Sequence, residues 1–520
     1  MATAGCSGTN SLGGSVTVNN SRTVSGDILL YGTAGVTVNN ALASSGGSSS
    51  ITFWTNNTAS SIAIPGTVDA ANIYLFKNNG DLTVDMNNVR PTVNFSACTG
   101  SGLVNCSVSS TLGGAVVINN PRTVSGVINI YGSTGLTVNN ALTSTANDIT
   151  AFTNSGTATL NAALSASGSG RSITIATLTG TNPSINSTVD ADDVFLFNGS
   201  GNLTVDMNTV RPTANFRACV GAGSLSCSAS NTSGGTVTIN NARTVSGDIF
   251  LYGSTGLTIN NALTSTANDI IAFTNSGTLT LNAALTASGS NRSITAASFT
   301  GTSFAVNSTI DAADVFLYYG SGSLSVNMND IRPTRNFRAC VGANSLSCLA
   351  SNNLGGSVTI NNSRTVSGDI SLYGTTGVTV NNALVSTGVA SNVTAWTYNT
   401  ASSIAIPGTL DGANIYFFKH NGDLTVDMNN VRPTVNFSAC TGNGTANCNV
   451  NNVLGGSVVI NNSRTVSGVI NVYGSTGLTV NNALTTTAND ITAYTNTGTV
   501  TLNGALVASG GGTEPLKFQH

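Results

Sequence analysis

Charge is what this 520-residue chain has least of: Lys+Arg 17 and Asp+Glu 20 leave 7% charged residues, where an ordinary soluble protein carries roughly 25%. That scarcity excludes a highly charged disordered tail. The 17 basic residues are scattered and the formal net charge is −3, so no patch is dense enough to neutralise a phosphate backbone, and nucleic acid is not an expected partner. Histidine occurs only at His420 and His520. A repeated imidazole or zinc chemistry is thereby excluded, and neither metal nor cofactor is expected. No run of about 18 apolar residues exists, so no transmembrane segment is expected. The opening MATAGCSGTN has neither a basic nor an apolar leader region, and no secretory signal is read from it. Pro-rich hinges and charge runs are missing too, which favours one continuous body over 1–520 rather than several domains.

What is abundant is strand and turn material. Apolar residues make up 40%, mostly Val, Ile, Leu and Ala, and Gly (58), Ser, Thr and Asn supply most of the rest. The chain is also a repeat. LGGSVTVNNSRTVSGDI at 12–28 returns as LGGAVVINNPRTVSGVI at 112–128, SGGTVTINNARTVSGDI at 233–249, LGGSVTINNSRTVSGDI at 354–370 and LGGSVVINNSRTVSGVI at 454–470, with spacings of 100, 121, 121 and 100. The repeat units run over 6–105, 106–226, 227–347, 348–447 and, in part, 448–510, followed by a non-repeat tail at 511–520.

A finer period explains the two unit lengths. In the second unit VVINN (116–120), LTVNNAL (136–142), ATLNAAL (158–164), PSINSTV (183–189) and LTVDMNTV (203–210) align one above another, and INIYG (128–132), ITAFT (149–153), ITIAT (173–177) and VFLFN (194–198) form a second strand family between them. The first unit has one such coil fewer, which accounts for the 21 missing residues. Loss of a whole coil with undisturbed flanks is what a stacked solenoid permits. The expected fold is an all-β, single-stranded parallel β-helix of 21 rungs by column count, with right-handed crossovers and a length of roughly 100 Å at about 4.8 Å per rung. Asn columns are expected to pair amide to amide along the axis.

After the last rung of each unit the step jumps to 34, leaving room for an insert: VRPTVNFSACTGSGLVNC (89–106), VRPTANFRACVGAGSLSC (210–227), IRPTRNFRACVGANSLSC (331–348) and VRPTVNFSACTGNGTANC (431–448). All four carry C-x7-C, so Cys98–Cys106, Cys219–Cys227, Cys340–Cys348 and Cys440–Cys448 are expected disulfides, each closing a short loop that gains roughly 2.5 kcal/mol from chain entropy. Two thiols per unit make a poor zinc site. Paired cysteines place the chain in an oxidising setting, extracellular or at a cell surface. The Arg-Pro pair opening each insert fits a strand exit, and Arg90, Arg211, Arg332 and Arg432 are read as solvated or carbonyl-bonded, with anion binding as the alternative. Cys6 matches Cys348 without its partner half and is a candidate for bonding another chain. The chain thus begins inside an insert, which fits either a piece of a longer protein with flanking repeats or subunits that stack end to end.

Two further groups are site candidates. Asp190, Asp192 and Asp193 in TVDADDV (188–194) read as turn caps, with calcium ligation or a glycosidase carboxylate pair as the sharper alternatives. Tyr31, Trp54 and Phe76, with Tyr131, Phe152 and Phe197, form an aromatic column. By strict alternation they turn away from the core, which makes them a candidate binding surface for carbohydrate or a host surface, and a stack covered by turns is the other reading.

Rungs of about 20 residues with strand, Gly turn and x-[TS]-[VIL]-N-x-x-[LV] over 12–510 resemble the β-helical shafts of filamentous-haemagglutinin-like exoproteins and autotransporter passengers. The resemblance implies a secreted or surface-displayed adhesin shaft. Near-identical copies fit a structural, non-enzymatic fibre segment that gives length and stiffness and self-assembles end to end. A carbohydrate-binding surface module and a polysaccharide-degrading, tailspike-like enzyme are the alternatives.

Overall fold

Residues 13–100, 113–221, 227, 234–342, 348, 355–442, 455–509 and 516–517 are described by a computed structural model. The fold is an all-β parallel solenoid of about 20 turns. Among the described residues no helix is long and apolar enough to cross a membrane. The chain divides into two compact units, Met1–Ala262 and Leu263–His520, taken in turn below.

In the first unit a typical rung holds three strands, Gly135–Val138, Leu142–Ser144 and Ile149–Thr153. The next rung repeats them as Ala158–Leu160, Leu164–Ala166 and Ser172–Thr177. All three pairs are parallel and in register, with Val138 beside Leu160, Leu142 beside Leu164 and Ile149 beside Ile173. The sequence period separates two strand families; the third is only three residues long and follows the Asn pair so closely that it reads as part of a turn. The second unit is built alike, with Gly377–Val380, Leu384–Ser386 and Asn392–Thr397 laid on Ser357–Asn361, Arg364–Val366 and Ile370–Gly374.

Alternation decides which side chains enter the core. Within Ile128–Gly132 the side chains of Ile128 and Ile130 are buried while Asn129 is half-exposed. Stacking turns this alternation into continuous apolar columns, such as Ile128, Ile149, Ile173, Val194, Phe216 and Ile249, each at 0–1% exposure. A second column runs through Leu82, Val116, Leu136 and Ala158. The interior is therefore a filled shaft, and each rung buries its apolar face only because a neighbour covers it.

Outside, the first Asn of each pair forms the expected ladder. Asn186 Nδ2 donates to Asn161 Oδ1, Asn161 to Asn139 and Asn139 to Asn119, each at 2.9 Å. In the second unit Asn503 donates to Asn481 and Asn481 to Asn461, both at 2.8 Å. The second Asn has a different task on the rung that follows an insert. Asn120, Asn241, Asn362 and Asn462 take φ of 63–65°, a left-handed conformation that Asn tolerates better than other side-chain-bearing residues. Each is held on both sides: Asn120 N–H donates to Asn140 Oδ1 at 2.8 Å, and its Nδ2 to Asp85 Oδ1 at 2.6 Å.

Because Leu142 and Leu164 occupy one column, excision of residues 142–163 is expected to leave cooperative urea unfolding with a midpoint near the parent's. Excision of 142–152 alone throws the columns out of register and is expected to abolish the transition followed by circular dichroism.

Candidate functional site: the insert-bearing rungs

The rung that ends each unit departs from the common pattern. Its strand is long, Val89–Thr99, Ile331–Val341 and Val431–Thr441, and in the second copy is split into Val210–Pro212 and Phe216–Val220. The Arg-Pro pair is a strand exit only in the second copy, where the strand ends at Pro212; in the other three the strand runs on through it, contrary to expectation. Pro91 lies within the paired strand, and the register to Val68–Lys77 shifts between Pro91 and Asn94. An irregularity of that kind is where a strand tolerates a residue with no ladder donor.

The chain leaves the shaft later, at Gly100, Gly221, Gly342 and Gly442, with φ of 75–83°, and returns at Gly113, Gly234, Gly355 and Gly455. The two ends touch. A Cβ built on Gly113 would lie 2.3 Å from the Gly100 nitrogen, and one on Gly455 2.3 Å from the Gly442 nitrogen. The neck of the insert is thus open only to glycine on the returning side, which explains the LGG and SGG that begin every repeat.

The cysteines sit beside this neck. Cys219 pairs with Cys227 and Cys340 with Cys348, each with Cα atoms 5.7 Å apart, and Cys98 and Cys440 are also disulfide-bonded. Cys106, Cys448 and Cys6 lie outside the described residues, as does most of each insert. The first half-cystine of every pair is 0% exposed because it occupies a rung of the aromatic column. Register runs from Tyr31 through Trp54, Phe76, Cys98 and Tyr131 to Phe152, and in the second unit from Tyr373 through Trp396, Phe418, Cys440 and Tyr473 to Tyr494.

That register corrects the reading of the column as a binding surface. Trp54, Phe76, Tyr131 and Phe197 are at most 5% exposed, and Tyr31 and Phe152 are half-buried against the same cluster. Alternation fails here because the strand turns a corner. Gly132 approaches the Gly135 carbonyl so closely that a Cβ would lie 1.8 Å from it, and the turn folds over the ring one residue before it. The outward aromatics are instead Tyr74, Phe195, Phe316 and Tyr416, half-buried between buried neighbours on either side. Their signal was strict alternation, as in Ile73-Tyr74-Leu75. Arg217 lies over Phe195 and Phe250, 5.4 Å from each ring centre.

Charge collects on the short-strand face of these rungs. Asp69, Asp190, Asp311 and Asp411 each pair with the arginine one rung on, Arg90, Arg211, Arg332 and Arg432. Those arginines are carboxylate-bonded rather than solvated or carbonyl-bonded, because parallel register places Asp69 directly beside Arg90. The carbonyl-bonded set is Arg122, Arg243, Arg364 and Arg464 of the following repeat. Their Nε donates to the carbonyls of Pro91, Pro212, Pro333 and Pro433 at 2.9–3.1 Å. Hydrogen bonding to Asp190 holds Arg211 above the usual guanidinium range, whereas burial and then the nearby Arg211 charge push Arg243 down.

Asp314 pairs in the same way with Arg335, whereas Asp192 and Asp193 are turn caps. Asp192 accepts from Thr213 Oγ1 and the Gly170 N–H, both at 2.6 Å, and these bonds hold its carboxyl below the usual range. Asp193 accepts from the Asn215 N–H and Nδ2. No group of three or more His, Cys, Asp or Glu able to hold a metal ion occurs among the described residues. Open grooves flank two of the Asp–Arg columns: about 720 Å³ along Ser165–Ser169, Asp190, Arg211 and Arg243, and about 590 Å³ along Ser386–Val389, Asp411, Arg432 and Arg464. Lys77 and Lys419, at the other end of the strands that carry Asp69 and Asp411, are buried at 7% and 5% exposure, and Lys77 Nζ donates to the Asp81 carbonyl at 2.7 Å.

Compared with family models, curated proteins and solved structures, the chain matches none. The disulfides place it in an oxidising environment.

Replacing Cys219 by Ala together with Cys227 by Ser is expected to lower the unfolding free energy by about 2.5 kcal/mol, measured in urea against the parent. Alanine fits the column, as Ala176 does between Phe152 and Phe197. A second outcome concerns alkali. Burial pushes the Tyr373 hydroxyl up to about 12, so the folded state keeps a proton that the unfolded chain loses near pH 10. Stability therefore falls as pH rises from about 10 towards 12. Tyr373→Phe is expected to recover roughly 2 kcal/mol of that loss by the upper end of the window, read from urea midpoints at pH 9 and pH 11.5.

Proposed function

We propose that this chain is a structural, non-enzymatic segment of an extracellular fibre or adhesin shaft. Its task is to supply length, stiffness and resistance to proteolysis. The observation that carries this reading is the ladder of like on like. Each rung binds its neighbours through parallel main-chain bonds and through Asn amides, as Asn186 does to Asn161, Asn139 and Asn119. Bending such a stack strains bonds on every column at once, so stiffness follows from register alone. Disulfides that tie each insert to a buried core position add resistance to unfolding and fit an extracellular setting. End-to-end stacking suits the same construction, because a terminal rung presents the ladder donors and acceptors that an internal rung satisfies.

Electron microscopy of the purified chain, with and without reductant, tests the proposal. Rods or filaments with a rung repeat of about 4.8 Å in their diffraction are the expected result, and globular particles would overturn it. Loss of filaments on reduction would assign the joint to cysteines.

A further inference from the structure

The groove beside Asp411 carries more positive than negative charge, and that surplus is built into the repeat. Asp411 is engaged by Arg432 through both Nε and Nη2. Arg464, on the same groove wall, donates to a neutral acceptor, the Pro433 carbonyl at 3.0 Å, and forms no ion pair among the described residues. Two guanidinium groups thus share one carboxylate. Burial, and then the like charge of Arg432, work against the cationic form of Arg464. The corresponding groove in the first unit differs in charge at one position: Asp192 lines it where the second-unit groove has Ala413. With Asp190 and Asp192 against Arg211 and Arg243, the first groove is formally neutral.

We propose that the groove of Asp411, Arg432 and Arg464 binds an oxyanion-bearing saccharide, with the two arginines holding its carboxylate or sulfate. A cavity of about 590 Å³ lies within the size range of small-ligand sites. Planar guanidinium groups suit a two-oxygen anion, and an anion here offsets the repulsion between Arg432 and Arg464. The exposed Thr434 on the opposite side supplies a hydroxyl for the sugar ring, and Val389, 92% exposed at the rim, offers apolar contact. The site is independent of the structural role proposed above, since a shaft without ligand remains a shaft.

The test is a titration of the full chain with a galacturonic acid trimer, followed through the methyl resonances of Val389, with a neutral glucose trimer and inorganic sulfate in parallel. A saturable shift with the acidic trimer, weakened by added salt and absent with the neutral one, is expected. Val389→Glu puts a carboxylate at an exposed rim position and leaves the fold alone. It is expected to weaken binding about tenfold and Val389→Lys to strengthen it, both followed through the amide resonance of residue 389. Arg464→Gln is expected to lose binding with the other valine methyls unmoved. Asp192→Ala is expected to give the Asp190 groove the charge balance of the Asp411 groove and with it binding of its own. No shift with the acidic trimer, equal shifts with both trimers, or equal responses to Glu and Lys at position 389 would overturn the proposal. Inorganic sulfate binding as tightly as the trimer would overturn its saccharide part.

Discussion

Parallel main-chain bonding between successive rungs, at a spacing of about 4.8 Å, sets the conditions that every other feature meets. A residue that suits a position must suit it beside its own kind, rung after rung. Aliphatic side chains stack into interior columns, amides into an exterior ladder, and rings into a corner stack. Because each contact is to the nearest rung, the chain gains or loses a whole coil without disturbing its flanks, and this is the difference between its two unit lengths.

The inserts obey the same constraint while interrupting it. The described chain stops at Gly100 and resumes at Gly113 on the next rung, so the neck must close as if the chain had not left. Glycine faces glycine there, and one half-cystine takes the place of a ring in the aromatic column. The disulfide is consequently anchored in the core. A loop tied at a buried position restrains the rung from which it departs, whereas a tie between two surface residues would restrain only the loop.

The few charges are used in the same economical way. Asp69, Asp190, Asp311 and Asp411 each hold an arginine of the adjacent rung on the short-strand face. Partly exposed pairs of this kind contribute little to stability. Their effect is positional: they fix the arginine of the insert rung and leave the next repeat's arginine to a proline carbonyl. The charge balance of each groove then depends on one residue, Asp192 or Ala413.

The short C-x7-C spacing determined the pairing of Cys219–Cys227 and Cys340–Cys348, and periodicity by itself determined the parallel solenoid and the Asn ladder, because in a stack the residue above is the same residue one period on. It did not reveal the third strand, which at three residues is too short to show an alternation. It left the aromatic column open between an outward face and a stack covered by turns, because alternation predicts a side only while the strand stays straight; the covered stack is the one found, with Tyr131 at a corner where the turn covers it. It also assigned Arg90 and its copies to solvent or to carbonyls. Only the tertiary structure decided those matters: Asp69 and Arg90 lie one rung apart and come level ahead of the register shift, yet whether the guanidinium turns to that carboxylate, to a carbonyl or to solvent is set by how the side chains of that face pack.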